Sequence, residues 1–170
     1  MLINPRQVMM FILMARYNQW ANLRLMEDLA SMDEHALRSP TGANYGSIIG
    51  ILNHLLLGDT LWLHRFTGKG RPPESLDGIL HDRLPDFTMA RQALDEHIVD
   101  FATGLGTVDD ACILSYTNTR GEKKSGRMGV LLAHFFNHQT HHRGQIHALA
   151  ANQGARMRDI DLLYSPDASL

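Results

Sequence analysis

The chain is poor in cysteine: among its 170 residues only Cys112 carries a thiol. One thiol can build neither a disulfide framework nor a Cys-x-x-Cys pair, and no Cys-x-x-Cys-His haem attachment is possible. A chain without cysteine pairs suits a reducing compartment, so a cytoplasmic location is expected. Cys112 itself reads as a small, half-buried apolar residue.

An excess of either charge is missing too. The 16 basic and 18 acidic residues leave a net charge of −2, and blocks of like charge do not occur. Nothing here drives binding to a phosphate backbone, so no nucleic-acid partner is expected. No stretch approaches the ~20 apolar residues that span a bilayer, so no membrane partner is expected either. The run VMMFILMA near the start follows Pro5 and lacks a small-residue cleavage site. It reads as mature structure rather than a leader. Repeats and low-complexity segments are absent. What remains, 44% hydrophobic and 20% charged residues, is the ordinary composition of one globular domain, here residues 1–170.

What is present is helical periodicity. Asn4 followed by Pro5 is a helix start, a capping side chain before proline at the first helical position. Apolar residues recur at Met9, Ile12, Leu13, Trp20, Leu23, Met26 and Leu29, which predicts a first helix over 5–30. Residues 31–44, with Pro40, Gly42 and Asn44, read as a connection. A second helix is expected over 46–67, closed by Gly68 and apolar around most of its circumference, hence well buried. A long polar stretch with tandem prolines then reads as a crossover. A third helix over 86–104 places Phe87, Ala90, Leu94, Ile98 and Phe101 on one face. ILSYTNTRGEKKSGR alternates apolar and polar around Asn118 to Gly121, which predicts a short β-hairpin. A fourth helix covers 127–153, and the tail is expected to pack Leu162, Leu163 and Tyr164 onto the helices. Four long amphipathic helices with one long crossover imply an all-α four-helix bundle, an architecture that builds metal sites from inward side chains on facing helices.

Five of the ten histidines fall in HFFNHQTHHRGQIH, residues 134–147. At about 100° per helical residue, Leu131, Phe135, Ile146 and Leu149 define a core stripe. His138 and His142 fall within it, His134 and His141 at its edge, and His147 well away. The inward pair stands at i and i+4, so two imidazoles stack one turn apart and can share one divalent ion. Two core histidines with ordinary partners are the alternative. Two stacked neutral rings each need both a donor and an acceptor, which favours the metal. A third ligand would come from another helix, and His54, His64, His97 and Asp59 are the candidates. His64 near its helix end reads as exposed, and His97 beside Asp95 and Glu96 reads as a solvated face. His54 sits amid hydrocarbon, where a free polar ring is costly. Spacing alone leaves the choice open.

Two familiar metal chemistries are missing. The His-x-x-x-His frame carries Gln139 where a zinc peptidase needs its glutamate base. No Glu-x-x-His occurs, as a di-iron carboxylate bundle would require.

HFFNHQTHHRGQIHAL resembles the C-terminal motif of the DinB/YfiT-like family, with its H-x-x-x-H-R-G-Q core. YNQWAN (residues 17–22) is similar to that family's first-helix motif, NYGSIIGILNHLLLGDTLWL to its second-helix motif, and DIDLLY to its tail. The resemblance implies a four-helix bundle and a metal held by His54, His138 and His142, so it selects His54 as the third ligand. It implies nickel or zinc as the ion, homodimers, and activity as a thiol S-transferase using a low-molecular-weight thiol or as a hydrolase. A non-catalytic metal- or ligand-binding stress-response bundle is the reading from another class.

Three neutral imidazoles would leave the +2 charge unquenched and a coordination position open, the pattern of a catalytic rather than a structural site. Asp59 is the candidate for an orienting partner, with a surface carboxylate as the alternative, and Asn53 could play the same role. Tyr17 and Trp20 read as core or pocket lining. Arg143 reads as a solvated arginine or a binder of anionic substrate. Gly144 would permit close helix packing.

Overall fold

The structure, a computed structural model, describes residues 5–106 and 112–169. Its elements are α1 (Pro5–Leu29), α2 (Glu34–Arg38), α3 (Ile48–Thr67), α4 (Leu84–Thr103), β1 (Ile113–Thr117), β2 (Lys123–Arg127), α5 (Met128–Asn152) and two 3-10 turns, Leu162–Tyr164 and Pro166–Ser169. The protein is mainly helical. The four long helices follow in the expected order, with the crossover between α3 and α4 and the hairpin before α5. Both α1 and α3 pack against α4 and α5. None of the described helices is long and apolar enough to cross a membrane.

Local chemistry sets the boundaries. Ser47 caps α3, its hydroxyl accepting from the Gly50 amide at 3.0 Å, and Gly68 ends the helix in the left-handed conformation. The third long helix starts two residues earlier than expected, because Pro85 fits the first turn, where a missing N–H loses nothing. The hairpin pairs Ile113 with Arg127 and Thr117 with Lys123. Asn118 closes its turn by accepting from the amides of Arg120 and Glu122.

The interior is layered. One apolar cluster gathers Leu25, Leu29, Ile48, Ile51, Leu52, Phe87, Ile146 and Ala150. A second gathers Ala15, Trp62, Ile98, Ala102, Leu132, Phe135 and Phe136. Between them, every long helix contributes buried polar residues: Asn18 and Asn22 from α1, Asp59 from α3, Arg91 and Asp95 from α4, Gln139 and Arg143 from α5. The Arg91 guanidinium lies 2.7 Å from Asp59 and 2.8 Å from Asp95. Asp95 also accepts from the amides of Asn18 at 2.9 Å and Asn22 at 3.0 Å. The Asn18 carbonyl in turn accepts from Arg143. Two carboxylates and two guanidiniums balance, as buried charges must.

Several expectations are corrected. The connection 31–44 contains α2, which follows from Asp33 capping the His35 amide and from the buried Leu37. Apolar periodicity misplaced the inward face of α1: Met9 and Leu23 are exposed, while Asn18, Asn22 and Asp28 are buried. The expected Asn4 cap lies outside the described residues. Leu163 and Tyr164 do not pack on the helices, being 85% and 62% exposed. Polar anchors hold the tail instead. Tyr17 donates to the Ile160 carbonyl at 2.9 Å, Arg158 binds Asp28 and Glu27, and Ser165 is buried. Cys112 is exposed rather than half-buried.

Removing one member of the buried ionic layer strands its partners without water. Arg91→Met is therefore expected to lower unfolding free energy by about 3–5 kcal/mol in urea titration. Arg71→Ala, whose pair with Glu74 is exposed, should change it by less than about 1 kcal/mol. Equal effects would contradict the layer's role.

Candidate metal centre

His54 of α3 and His138 and His142 of α5 meet at the level of the polar layer, each placing a ring nitrogen within 4.8 Å of the others. The Nε2 atom of His138 lies 3.2 Å from Nε2 of His54 and 3.1 Å from Nε2 of His142. The i, i+4 spacing puts the two α5 rings on one side of that helix, 4.4 Å apart. Gly58, one turn beyond His54, makes room for His138: a Cβ there would stand 3.2 Å from its Cε1.

Two of the outer nitrogens are engaged. Nδ1 of His54 lies 3.1 Å from the Leu76 carbonyl, in the crossover. A carbonyl only accepts, so Nδ1 carries the proton and Nε2 turns a lone pair inward. Nδ1 of His142 lies 2.8 Å from the Gln145 side-chain oxygen, which selects the same tautomer. Burial disfavours the charged form of all three rings and lowers their pKa values. His138 falls furthest, to about 3, through burial and then the neighbouring His142 and His54. Neutral imidazole with an inward Nε2 is the form that binds metal.

A geometric test follows from the donor set. Nitrogens bound ~2.0–2.1 Å from one ion necessarily stand a little over ~3 Å apart at near-tetrahedral angles. The two Nε2 separations match that spacing, and the inward nitrogens of His54 and His142 both present lone pairs. The residues present therefore fit a divalent ion.

The surroundings differ in part from expectation. Asn53 makes no hydrogen bond to the three rings among the described residues. It is fully buried and pins the crossover: its amide donates to the carbonyls of Ile49 and His81, and its oxygen accepts from the amides of Leu80 and His81. That holds in place the segment whose Leu76 carbonyl orients His54. Asp59 is 1% exposed and bonded to Arg91, with no hydrogen bond to the three imidazoles among the described residues. Burial pushes its pKa up against the pull of Arg91. Burial likewise lifts Asp95 to about 6, against Arg91 and Asn22.

Arg143 is neither solvated nor open to substrate. It is 1% exposed, bonded to Asn18 and stacked over the Tyr17 ring at 5.1 Å. Asp95, read with His97 as a solvated face, is buried while His97 is exposed. A Cβ on Gly144 would meet nothing within 4 Å, so that glycine serves no close packing. His134 and His141 are exposed beside the site, and His147 binds the Arg158 carbonyl at 3.2 Å. His64 bonds the Lys69 carbonyl.

Sequence reasoning missed Tyr45, whose ring stacks on His54 with centroids 3.8 Å apart, and Gln145. It also missed the inward asparagines of YNQWAN. The i, i+4 spacing of Asn18 with Asn22 and of Arg91 with Asp95 was the available signal.

Comparison with known proteins agrees with the earlier resemblance. The family model described as the DinB family matches residues 5–169. Protein DinB of Bacillus subtilis (strain 168) is 25% identical over 147 residues, covering 81% of this chain and 83% of that one. The crystal structure of a DinB-like protein from Bacillus cereus ATCC 10987 superposes with a TM-score of 0.60 at 15% identity, covering 82% of this chain and 90% of that one. At that identity the likeness is one of fold.

The lowered His138 pKa has a definite sign for stability. Between about 3 and 6.5 the unfolded chain holds a proton on this ring that the folded chain refuses, so this ring's contribution falls as the pH drops. The metal-free protein's urea midpoint should fall less steeply over that window in His138→Gln than in wild type. An equal or steeper fall in the variant would contradict the neutral ring.

Proposed function

The chain belongs to the DinB family, and we propose that it is a divalent-metal-binding enzyme that transfers a low-molecular-weight thiol to an electrophile. The long helices are read as that family's four-helix bundle, with His54, His138 and His142 as the ligands. Zinc or nickel, both well served by imidazole, are the ions proposed.

One observation carries the reading: three imidazoles from two helices bring ring nitrogens to one point, and in two of them the engaged outer nitrogen leaves the inward Nε2 with a lone pair. No carboxylate or thiolate belongs to this donor group, so an ion held there would keep its positive charge. It would favour the deprotonated form of a thiol or water. The chain's own residues supply the frame. Leu76 and Gln145 fix ring orientation, and Asn53 fixes the loop that carries Leu76. Asp59 contributes through its pair with Arg91, which sets how α3 and α4 meet. His134 and His141, exposed beside the ligands, lie where a substrate would approach. The proposed setting is the cytoplasm, where low-molecular-weight thiols abound.

Purified protein loaded with nickel or zinc is expected to bind about one ion per chain by elemental analysis. His138→Ala and His142→Ala should each lose most of it. The loaded wild type should conjugate a cellular thiol to a reactive electrophile, and both variants should not. Full occupancy in the double variant would remove the ligand assignment. Stoichiometric metal with no turnover on any thiol would leave a binding protein and remove the transferase.

A further inference from the structure

We propose that Tyr45 is a positioning residue of this metal centre, its ring clamping the His54 imidazole so that Nε2 points at the shared donor point. The inference rests on the metal-site reading above and names a device that the motif histidines do not reveal.

Tyr45 is the one non-glycine residue with positive φ among those described, at 66°. A side chain with a Cβ avoids that region unless its surroundings impose it. Here they do. The Ser47 amide donates to the Tyr45 carbonyl at 2.9 Å, and the Thr41 amide to the Gly46 carbonyl at 2.9 Å. Gly46 is also left-handed, at 76°. The Tyr45 carbonyl lies against Gly50 so closely that any Cβ at position 50 would collide with it. This hydrogen-bonded turn runs straight into the capped start of α3, the helix that carries His54. The backbone is thus locked in a disfavoured conformation that mere covering of apolar surface would not require. Such residues gather where a side chain must be aimed.

What the conformation aims is the phenol ring. It lies nearly parallel to His54, 3.8 Å between centroids and 15° between planes. It also meets His142 edge-on at 5.8 Å and 70°. His138 and His142 stand edge-on to His54 at 60° and 71°. The Leu76 hydrogen bond fixes which nitrogen of His54 faces out but leaves the ring free to rock about that bond. The parallel stack removes this freedom, since rotation would drive the imidazole into the phenol. Tyr45 therefore completes what Leu76 begins.

Two variants separate the ring from the backbone. Tyr45→Gly removes the ring and suits positive φ, so the turn is kept. Tyr45→Phe keeps the ring and loses only the hydroxyl. In nickel titrations Tyr45→Gly is expected to bind at least about tenfold more weakly than wild type, the loss usual when a ligand's support is removed, and Tyr45→Phe within a few-fold. A second readout needs no metal. By NMR relaxation of the metal-free protein at neutral pH, the His54 ring should be as rigid as the backbone in wild type and Tyr45→Phe. It should be mobile in Tyr45→Gly, with circular dichroism unchanged. Unaltered nickel affinity and an unaltered ring rigidity in Tyr45→Gly would overturn the clamp. So would a loss in Tyr45→Phe as large as in Tyr45→Gly, which would assign the effect to the hydroxyl. Wild type that binds no nickel would instead sink the metal-site reading, and the ring-mobility comparison would still decide the clamp.

Discussion

The architecture turns on a charge-balanced ionic layer buried midway along the four long helices. Asp59, Arg91, Asp95 and Arg143 lie between two apolar clusters, joined directly or through the amides of Asn18 and Asn22. Apolar packing tolerates a helix sliding or turning by a few ångströms; a buried guanidinium left without its carboxylate does not. Each long helix supplies at least one member, so the layer fixes their mutual register. It contributes specificity of arrangement more than net stability, because desolvating four charges offsets much of what their pairing returns.

The three histidines meet at that level because they neighbour the layer's residues. Gln139 and Arg143 each follow a proposed ligand by one position. When Arg143 turns inward to Asn18, the helix is rotated so that His138 and His142 face α3. His54 lies about one and a half turns before Asp59 on the same helix, so the Arg91 pair anchors that side as well. Support of the rings themselves is local and comes from loops: Leu76 and Tyr45 on His54, with Asn53 securing the crossover. Rigid helices thus set where the rings are, and two connections set how they are turned.

Much of this was legible in sequence. Helix positions followed from apolar spacing and from Gly68, and the inward pair His138 and His142 followed from one turn of spacing. Choosing His54 over His64, His97 and Asp59 needed the family resemblance, because α3 is buried around most of its girth and its pattern marks no single face. The polar layer was illegible for a related reason. Asparagine, aspartate and arginine at inward positions look like surface residues until their partners on other helices are known, and this misdirected the readings of α1, Asp95 and Arg143. Tyr45 was invisible because a left-handed backbone at a tyrosine leaves no compositional trace. The tail misled in the other direction: Leu163 and Tyr164 look like core, yet polar anchors at Arg158 and Ser165 hold that segment.

The account stands or falls on three imidazoles sharing one ion. X-ray absorption at the metal edge of zinc-loaded wild-type protein measures this directly. The account predicts a nitrogen shell at about 2.0–2.1 Å whose outer-shell scattering requires three imidazole rings. A spectrum fitted by one imidazole or none, or dominated by carboxylate oxygen, would contradict it.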